Sequence, residues 1–409
     1  MDMDALRAHF PALQQTVNGK PLVYLDSAAS TLKPQAVIDA ISHYYAYDHS
    51  NVHRGAHALA DRATAAFEAA RDTVARFLSG PGEAVRREEI IWTRGTTEAI
   101  NLVAQSWGGA NLSADDEVLI SEMEHHANIV PWQMVCERTG ASLKVIPVTD
   151  AGDLDLEAFE SLLSERTKLL AVTHVSNVLG TVNPVAWLAQ KAHGVGAKVL
   201  IDGAQAVAHI ELDLKALDAD FYVFSGHKLY GPTGIGVLYG KYELLAAMPP
   251  WQGGGEMIDR VTFEGTTYQA PPFRFEAGTP HIAGAVGLGA AIEWFQALDR
   301  NALEAHEASV FKALDDLLRT TEGVQVLGSA RDSLGAVSFT VDGAHPSDMG
   351  AFLDQAGVAV RTGHHCCQPL MARYGVVGTV RASLSLTNSL DDLAGLHGAL
   401  LRAINFCRG

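Results

Sequence analysis

The chain has 409 residues and a mass of 43.6 kDa, enough for two domains or one large α/β unit with an appended piece. Its 30 Lys and Arg against 47 Asp and Glu leave a net charge of −17, which argues against a polyanion-binding surface, while 48% hydrophobic residues allow an ordinary globular core. Four scattered cysteines form no disulfide framework, the acidic start MDMDALRAHF has no signal-peptide pattern, and no apolar run reaches the ~18 residues of a membrane span. The expectation is a soluble, cytoplasmic protein with no nucleic-acid and no membrane partner. One oddity stands out: a HHCC run at 364–367 in a chain otherwise sparing with cysteine.

Along the chain, short β-rich runs end in polar or glycine-rich turns and lead into helical periodicity. The stretch 89–93 (EIIWT) reads as a strand, 95–97 (GTT) as a turn and 98–107 as a helix. A strand follows at 117–121, then a helical stretch through Trp132, Val135 and Cys136. Strands are expected at 143–148, 168–174 and 198–202, with helices near 156–164 and 184–193, and the block closes with strands at 220–224 and 235–239. Such near-continuous Val/Ile/Leu strands indicate a mostly parallel sheet with helices on both faces. The segment 249–280 is rich in Pro, Gly and aromatics and reads as loop and hairpin. Helical signal then runs from 284 to 318, followed by short strands near 324–327, 336–341 and 358–361 and a closing helix over 390–406. The last third reads as a smaller α+β domain. The expected division is a large domain over 23–290 and a small one made of 1–22 and 291–409.

The most informative stretch is FSGHKLYGPTGIG at 224–236. Lys228 sits just past a strand end, where α/β proteins place their sites. Upstream, IDGAQ at 201–205 puts Asp202 at the end of another strand, facing the same sheet edge. Alone, Lys228 reads as a surface lysine and Asp202 as a helix cap. Together they suggest pyridoxal 5'-phosphate (PLP), which needs a partly desolvated lysine to bind it covalently and a carboxylate against its pyridine nitrogen. The Gly95-Thr96-Thr97 turn, opening a helix, offers backbone N–H groups and hydroxyls to a phosphate.

Several strings then carry a resemblance: NVHRGAH (51–57), TRGTTEAINLVA (93–104), EMEHHANIVPWQ (122–133), THVSNVLGT (173–181), IDGAQAV (201–207), FSGHKLYGPTGIG (224–236), RFEAGTP (274–280) and RTGHHC (361–366). From about residue 20 to the C-terminus the chain resembles the SufS-like (group II) PLP-dependent cysteine desulfurases, of the fold type I aminotransferase superfamily. The resemblance implies that Lys228 holds PLP, that Asp202 binds the pyridinium nitrogen and that His125 stacks on the ring and assists proton transfer. It implies Gln205 at the ring hydroxyl, Thr96, Thr97, Ser225 and His227 at the phosphate, and Thr279 reaching across from a second subunit. Asn177 would touch ring substituents or substrate, and Arg381 would pair with the substrate carboxylate, a job that suits its planar fork.

The implied reaction converts L-cysteine to L-alanine and leaves a persulfide on the enzyme, for use in iron–sulfur cluster assembly. Cys366 occupies the position of the family's nucleophile. Cys367 departs from the family's usual string; it reads either as a passive small residue or as a thiol able to intercept the persulfide. Cys136 and Cys407 read as core. Implied partners are a second copy of the chain and a sulfur acceptor, either SufU-like with zinc or SufE-like; His345 and GGGEM (253–257) lean toward the zinc type.

Rival readings are a selenocysteine lyase, a cysteine sulfinate desulfinase or a general aminotransferase on the same scaffold, and, from another class, a non-catalytic sulfur carrier or metal-binding protein. Four consecutive HHCC residues cannot all turn toward one ion, and no second ligand pair completes a set in the sequence. No metal is expected.

Overall fold

Strands that are apolar at nearly every position need cover on both faces, and six of the seven in the central sheet receive it, the edge strand Ser142–Ile146 staying half-exposed. The computed structural model describes residues 2–408. Its central strands are β1 (Ile90–Thr93), β2 (Glu117–Ser121), β3 (Ser142–Ile146), β4 (Thr167–Thr173), β5 (Lys198–Asp202), β6 (Phe221–Ser225) and β7 (Gly236–Gly240), in the order β1-β7-β6-β5-β4-β2-β3. β7 runs antiparallel to both neighbours and every other pairing is parallel, so the expected mostly parallel α/β sheet is what forms. Side chains alternate between two cores: Trp92, Leu119, Leu170, Val199, Tyr222 and Val237 on one face, Ile91, Val118, Leu169, Leu200, Val223 and Leu238 on the other.

Helix α1 (Ala58–Phe77) opens where the His57 ring accepts the Ala60 N–H, and it buries Ala60, Ala63, Phe67, Ala70 and Val74 at three- and four-residue spacing. It crosses helix α2 (Ile282–Gln296) closely, because a Cβ on Gly289 would lie 3.1 Å from that of Ala70. The later chain builds an antiparallel sheet of β8 (Val324–Val326), β9 (Ala336–Val341), β10 (Arg361–Gly363) and β11 (Thr379–Ser383), ordered β8-β9-β11-β10. Helices Arg300–Thr320, Pro346–Gln355 and Leu390–Arg408 enclose its own core, which includes Val310, Leu314, Phe339, Leu396 and Leu400. Among the described residues, no helix is long and apolar enough to cross a membrane.

Three differences from the sequence reading have local causes. The expected helical run 284–318 is two helices, because Asp299 accepts the Ala302 N–H and starts a new one. The expected strand 358–361 splits: Val358–Ala359 pairs in parallel with Val23–Tyr24, while Arg361–Gly363 joins the antiparallel sheet. Strand β11 was not foreseen, since TVRAS carries a buried arginine and serine where a core strand usually carries aliphatics.

Arg71, with 0% exposure, holds α1, β1 and the 273–280 segment together. Its guanidinium donates to Glu276 at 2.6 and 2.9 Å, to Glu68 at 3.2 Å and to the Ile90 carbonyl at 2.9 Å, and Glu276 also accepts the Trp92 N–H at 2.7 Å. Replacing Arg71 with Met strands the Glu276 carboxylate in an apolar setting. Urea unfolding of Arg71→Met should show a loss of about 3–5 kcal/mol, with part of it regained in Arg71→Met/Glu276→Leu; equal stability of wild type and Arg71→Met would refute this account.

Candidate active site

The carboxyl ends of β4, β5 and β6 open on one edge of the sheet. β5 ends at Asp202, and the chain turns away at Gly203, where a Cβ would lie 2.1 Å from the Tyr222 ring. Asp202 is buried, with Oδ1 accepting the Ala204 N–H at 2.9 Å. Burial pushes its carboxyl up, tempered by that hydrogen bond and by the Lys228 cation. β6 ends at Ser225, and a single tight turn, Gly226–Lys228, brings the lysine back to the same edge. There desolvation lowers the Lys228 amine to about 8, against the pull of Asp202 and with the help of Arg381.

The peptide before that lysine is held hard. The His227 carbonyl accepts from Thr31 N at 3.0 Å, Thr31 Oγ1 at 3.0 Å and Lys33 Nζ at 2.9 Å. Lys33 also donates to the Thr31 carbonyl at 2.7 Å, and burial lowers its amine to about 7.

At one end of the cleft, Ser225 Oγ accepts the Thr96 N–H at 2.9 Å and shares a 2.8 Å bond with Thr96 Oγ1. Of the N–H groups that the 95–97 turn was expected to offer, that of Thr96 is therefore already taken. Thr97 stands exposed in the first turn of its helix, and His227 Nδ1 is buried without a hydrogen-bond partner. In the middle, His125 Nδ1 accepts the Ala127 N–H at 3.0 Å, so the ring proton sits on Nε2. Burial, with the Lys228 cation, lowers that ring to about 4 and keeps it neutral. Gln205 donates to the Ala28 carbonyl at 2.9 Å, leaving its own side-chain oxygen as an acceptor.

At the other end, Arg381 on β11 donates to the Asn177 carbonyl at 2.9 Å and lies 3.5 Å from Asp26, while its buried Nε has no partner. Asp26 also accepts from Arg361 at 2.6 and 3.2 Å. The Cys366 loop is pinned by its backbone. Asn177 Nδ2 donates to the His365 carbonyl at 2.9 Å, His126 N to the Cys366 carbonyl at 2.7 Å, and His365 Nε2 meets Thr379 Oγ1 at 2.8 Å. His365 and Cys366 both take left-handed φ, 51° and 56°, which turns neighbouring side chains apart. Cys366 is exposed. Cys367 is buried with its Sγ 3.2 Å from Asn177 Oδ1, and burial pushes that thiol up to about 12.

All the sequence-predicted residues except Thr279 line this one cleft of about 400 Å³. Thr279 lines an adjoining cavity with Arg94, Trp251 and Gln252. Sequence reasoning assigned no role to Asp26, Lys33, Arg361 or His365. The signal available for Asp26 was DSAAS at 26–30, whose two alanines, Ala28 and Ala29, now form a wall of the cleft. The donor set fits PLP: a desolvated lysine beside a carboxylate, a neutral imidazole, hydroxyls with an unpartnered imidazole nitrogen at one end, and an unpartnered guanidinium N–H at the other.

The relatives agree with that chemistry. Residues 23–396 match the aminotransferase class-V family. A probable cysteine desulfurase of Vibrio cholerae is 54% identical over 405 residues, covering 99% of each chain, and a cysteine desulfurase of Dickeya dadantii is 54% identical over 97% of this chain and 96% of its own. The crystal structure of the cysteine desulfurase CsdA of Escherichia coli, in an S-sulfonic acid form, superposes with a TM-score of 0.91 at 44% identity, covering 99% of both chains. The apo cysteine desulfurase of Thermococcus onnurineus gives 0.92 at 38% identity, with 98% of each chain covered. Matched nearly end to end in sequence and in structure, the chain belongs to the aminotransferase class-V family.

Proposed function

We propose that this protein is a PLP-dependent cysteine desulfurase that converts L-cysteine to L-alanine and takes up the sulfur as a persulfide on Cys366. The observation that carries the reading is the meeting of an exposed Cys366 with half-buried Lys228 and buried Asp202 in one cleft, from three separate segments of the chain. Lys228 would hold PLP covalently, with Asp202 at the pyridine nitrogen and His125 against the ring. Gln205 would accept from the ring hydroxyl, Asn177 would meet ring substituents, and Thr96, Thr97, Ser225 and His227 would take the phosphate. PLP supplies an electron-accepting ring joined to the substrate amine.

The remaining work falls to side chains. Arg381, oriented by the Asn177 carbonyl and Asp26, pairs with the substrate carboxylate. The Lys228 amine, lowered toward neutrality, accepts the α-proton of the substrate. The Cys366 thiolate attacks the substrate sulfur: an S–S bond forms, the C–S bond breaks, and its electron pair goes to carbon, where a proton completes the methyl group of alanine. Asn177 serves both ends, since it holds the loop backbone through His365.

We further propose membership of the SufS-like group, with cytoplasmic delivery of sulfur to iron–sulfur cluster assembly through an acceptor protein. His345, exposed and capping the helix Pro346–Gln355, favours a zinc-bearing SufU-like acceptor over a SufE-like one. A homodimer is proposed because Thr279 faces a cavity beside its own cleft, as a residue serving a second copy should. The proposed division is a large domain over 23–290 and a small one of 1–22 and 291–409. The separate core around Val310 and Phe339 supports the 291–409 part of it, while Leu6 and Phe10 pack in the core of the central sheet.

Two measurements test the site. Covalent capture of PLP by the apoprotein needs the neutral Lys228 amine, so its rate, trapped by borohydride and read by mass, should rise with pH to a plateau with a midpoint near 8. A midpoint near the ordinary lysine value of 10.5 would contradict a desolvated amine. After addition of L-cysteine, peptide mapping should find one extra sulfur on Cys366 and none on Cys367, whose thiol is buried and held protonated. Cys366→Ala should abolish sulfide release while keeping some selenium release from selenocysteine; unchanged cysteine turnover in that variant would overturn the persulfide route.

A further inference from the structure

The Cys366 loop docks on the 125–128 turn, and the docking brings together side chains that the sequence keeps far apart. His126 N donates to the Cys366 carbonyl at 2.7 Å, and Gln368 N donates to His126 Nε2 at 3.1 Å. The rings of His126 and His364 stand 5.5 Å apart at their centroids. One nitrogen of each ring and Cys366 Sγ all lie within 4.8 Å of one another. Cys366 and His364 are exposed and His126 is half-buried, so the group faces solvent at the mouth of the cleft. Consecutive HHCC residues could not supply a tetrahedral set; His126, from a different segment, removes that objection.

We propose that His126, His364 and Cys366 form a binding site for a soft divalent cation of the zinc type, with water in the fourth position, and that its occupation halts sulfur transfer by sequestering the nucleophile. A zinc ion bonded to sulfur at ~2.3 Å and to nitrogen at ~2.0–2.1 Å sets its ligands about 3.5 Å apart, so closure asks each donor to move by roughly 1 Å or less. Two exposed side chains can make that movement. One thiolate and two imidazoles select zinc or cadmium over magnesium and calcium, which prefer oxygen.

Two features make the binding reversible. His364 Nδ1 accepts the Cys366 N–H at 3.1 Å, as His126 Nε2 accepts that of Gln368. Whichever ring nitrogen the ion takes, that hydrogen bond is lost, because the accepting nitrogen is either coordinated or protonated in exchange. The Cys366 thiol must also release its proton to solvent, one per ion bound. A persulfide on Cys366 changes the donor atom, so substrate turnover and metal binding compete for the same sulfur.

The metal-binding half stands on geometry alone; the inhibitory half rests on Cys366 being the sulfur-accepting nucleophile. The test uses reduced, metal-stripped holoenzyme titrated with cadmium. A thiolate-to-metal ultraviolet band should grow to one ion per chain, be absent in Cys366→Ser, and be displaced by zinc and not by magnesium. His126→Ala and His364→Ala should each weaken zinc binding about tenfold or more in competition with a chromophoric chelator. Scored against each variant's own zinc-free turnover, zinc inhibition should be mostly lost in His126→Ala, compared with wild type. Cadmium and zinc binding unchanged in His126→Ala would overturn the site. Full binding without loss of cysteine turnover would overturn the inhibition. Absence of turnover before any metal is added would count against the desulfurase reading and leave the cadmium band as an independent measure of the site.

Discussion

A lysine amine kept out of water beside a carboxylate is the constraint on which the rest of the cleft depends. Desolvation raises the Asp202 carboxyl and lowers the Lys228 amine, and each charge partly relieves the other. The pair is tolerable only if the surrounding backbone leaves neither group elsewhere to go. β5 and β6 lie side by side, with Asp202 paired to Val223, so β6 runs on to Ser225, two residues past the end of β5. The Gly226–Lys228 turn then returns Lys228 across a gap that the pairing register has already set. The sheet register therefore sets where the lysine stands, and burial sets its reactivity.

The same logic explains the attention given to one peptide carbonyl. The His227 oxygen gathers donors from Thr31 and Lys33, all from the segment that follows the short strand Val23–Tyr24. That segment also supplies Asp26, which grips Arg361 and approaches Arg381. A dozen residues near the N-terminus thus fix the lysine at one end of the cleft and both arginines at the other. Because Val23–Tyr24 pairs with Val358–Ala359, just ahead of Arg361, the Cys366 loop shares this reference frame.

Much of this was legible in the sequence, for reasons that differ by residue. Central strands such as 117–121 and 198–202 were plain because buried parallel strands are continuous aliphatic runs. Lys228, Asp202 and the Gly95–Thr97 turn could be read because strand ends are where local pattern and site position coincide. Strand β11 could not, since its buried Arg381 and Ser383 break the apolar rule that identifies strands, and they do so because the strand borders the cleft. Asp26 and Lys33 were invisible for another reason. Their partners lie about two hundred residues or more away, and the DSAAS string at 26–30 does not by itself point to Arg361. Arg361 and His365 were inside a quoted motif, yet only the pairing of β10 with β11 gives them a direction.

The HHCC run shows how far four adjacent residues can diverge. Left-handed φ at His365 and Cys366 costs about 1–3 kcal/mol each, and the hydrogen bonds to Asn177, His126 and Thr379 oppose that strain. The result is a division that no extended or helical backbone could give. His364 accepts the Cys366 N–H, His365 anchors inward on Thr379, Cys366 projects to solvent, and Cys367 turns into the core against Asn177. Two thiols adjacent in sequence therefore differ in access, and burial holds the Cys367 thiol protonated, so the chemistry of the second does not shadow that of the first. Backbone strain here separates nucleophile from spectator. It also leaves the exposed sulfur beside His126 and His364, within reach of whatever soft electrophile arrives at the mouth of the cleft, substrate sulfur or metal ion.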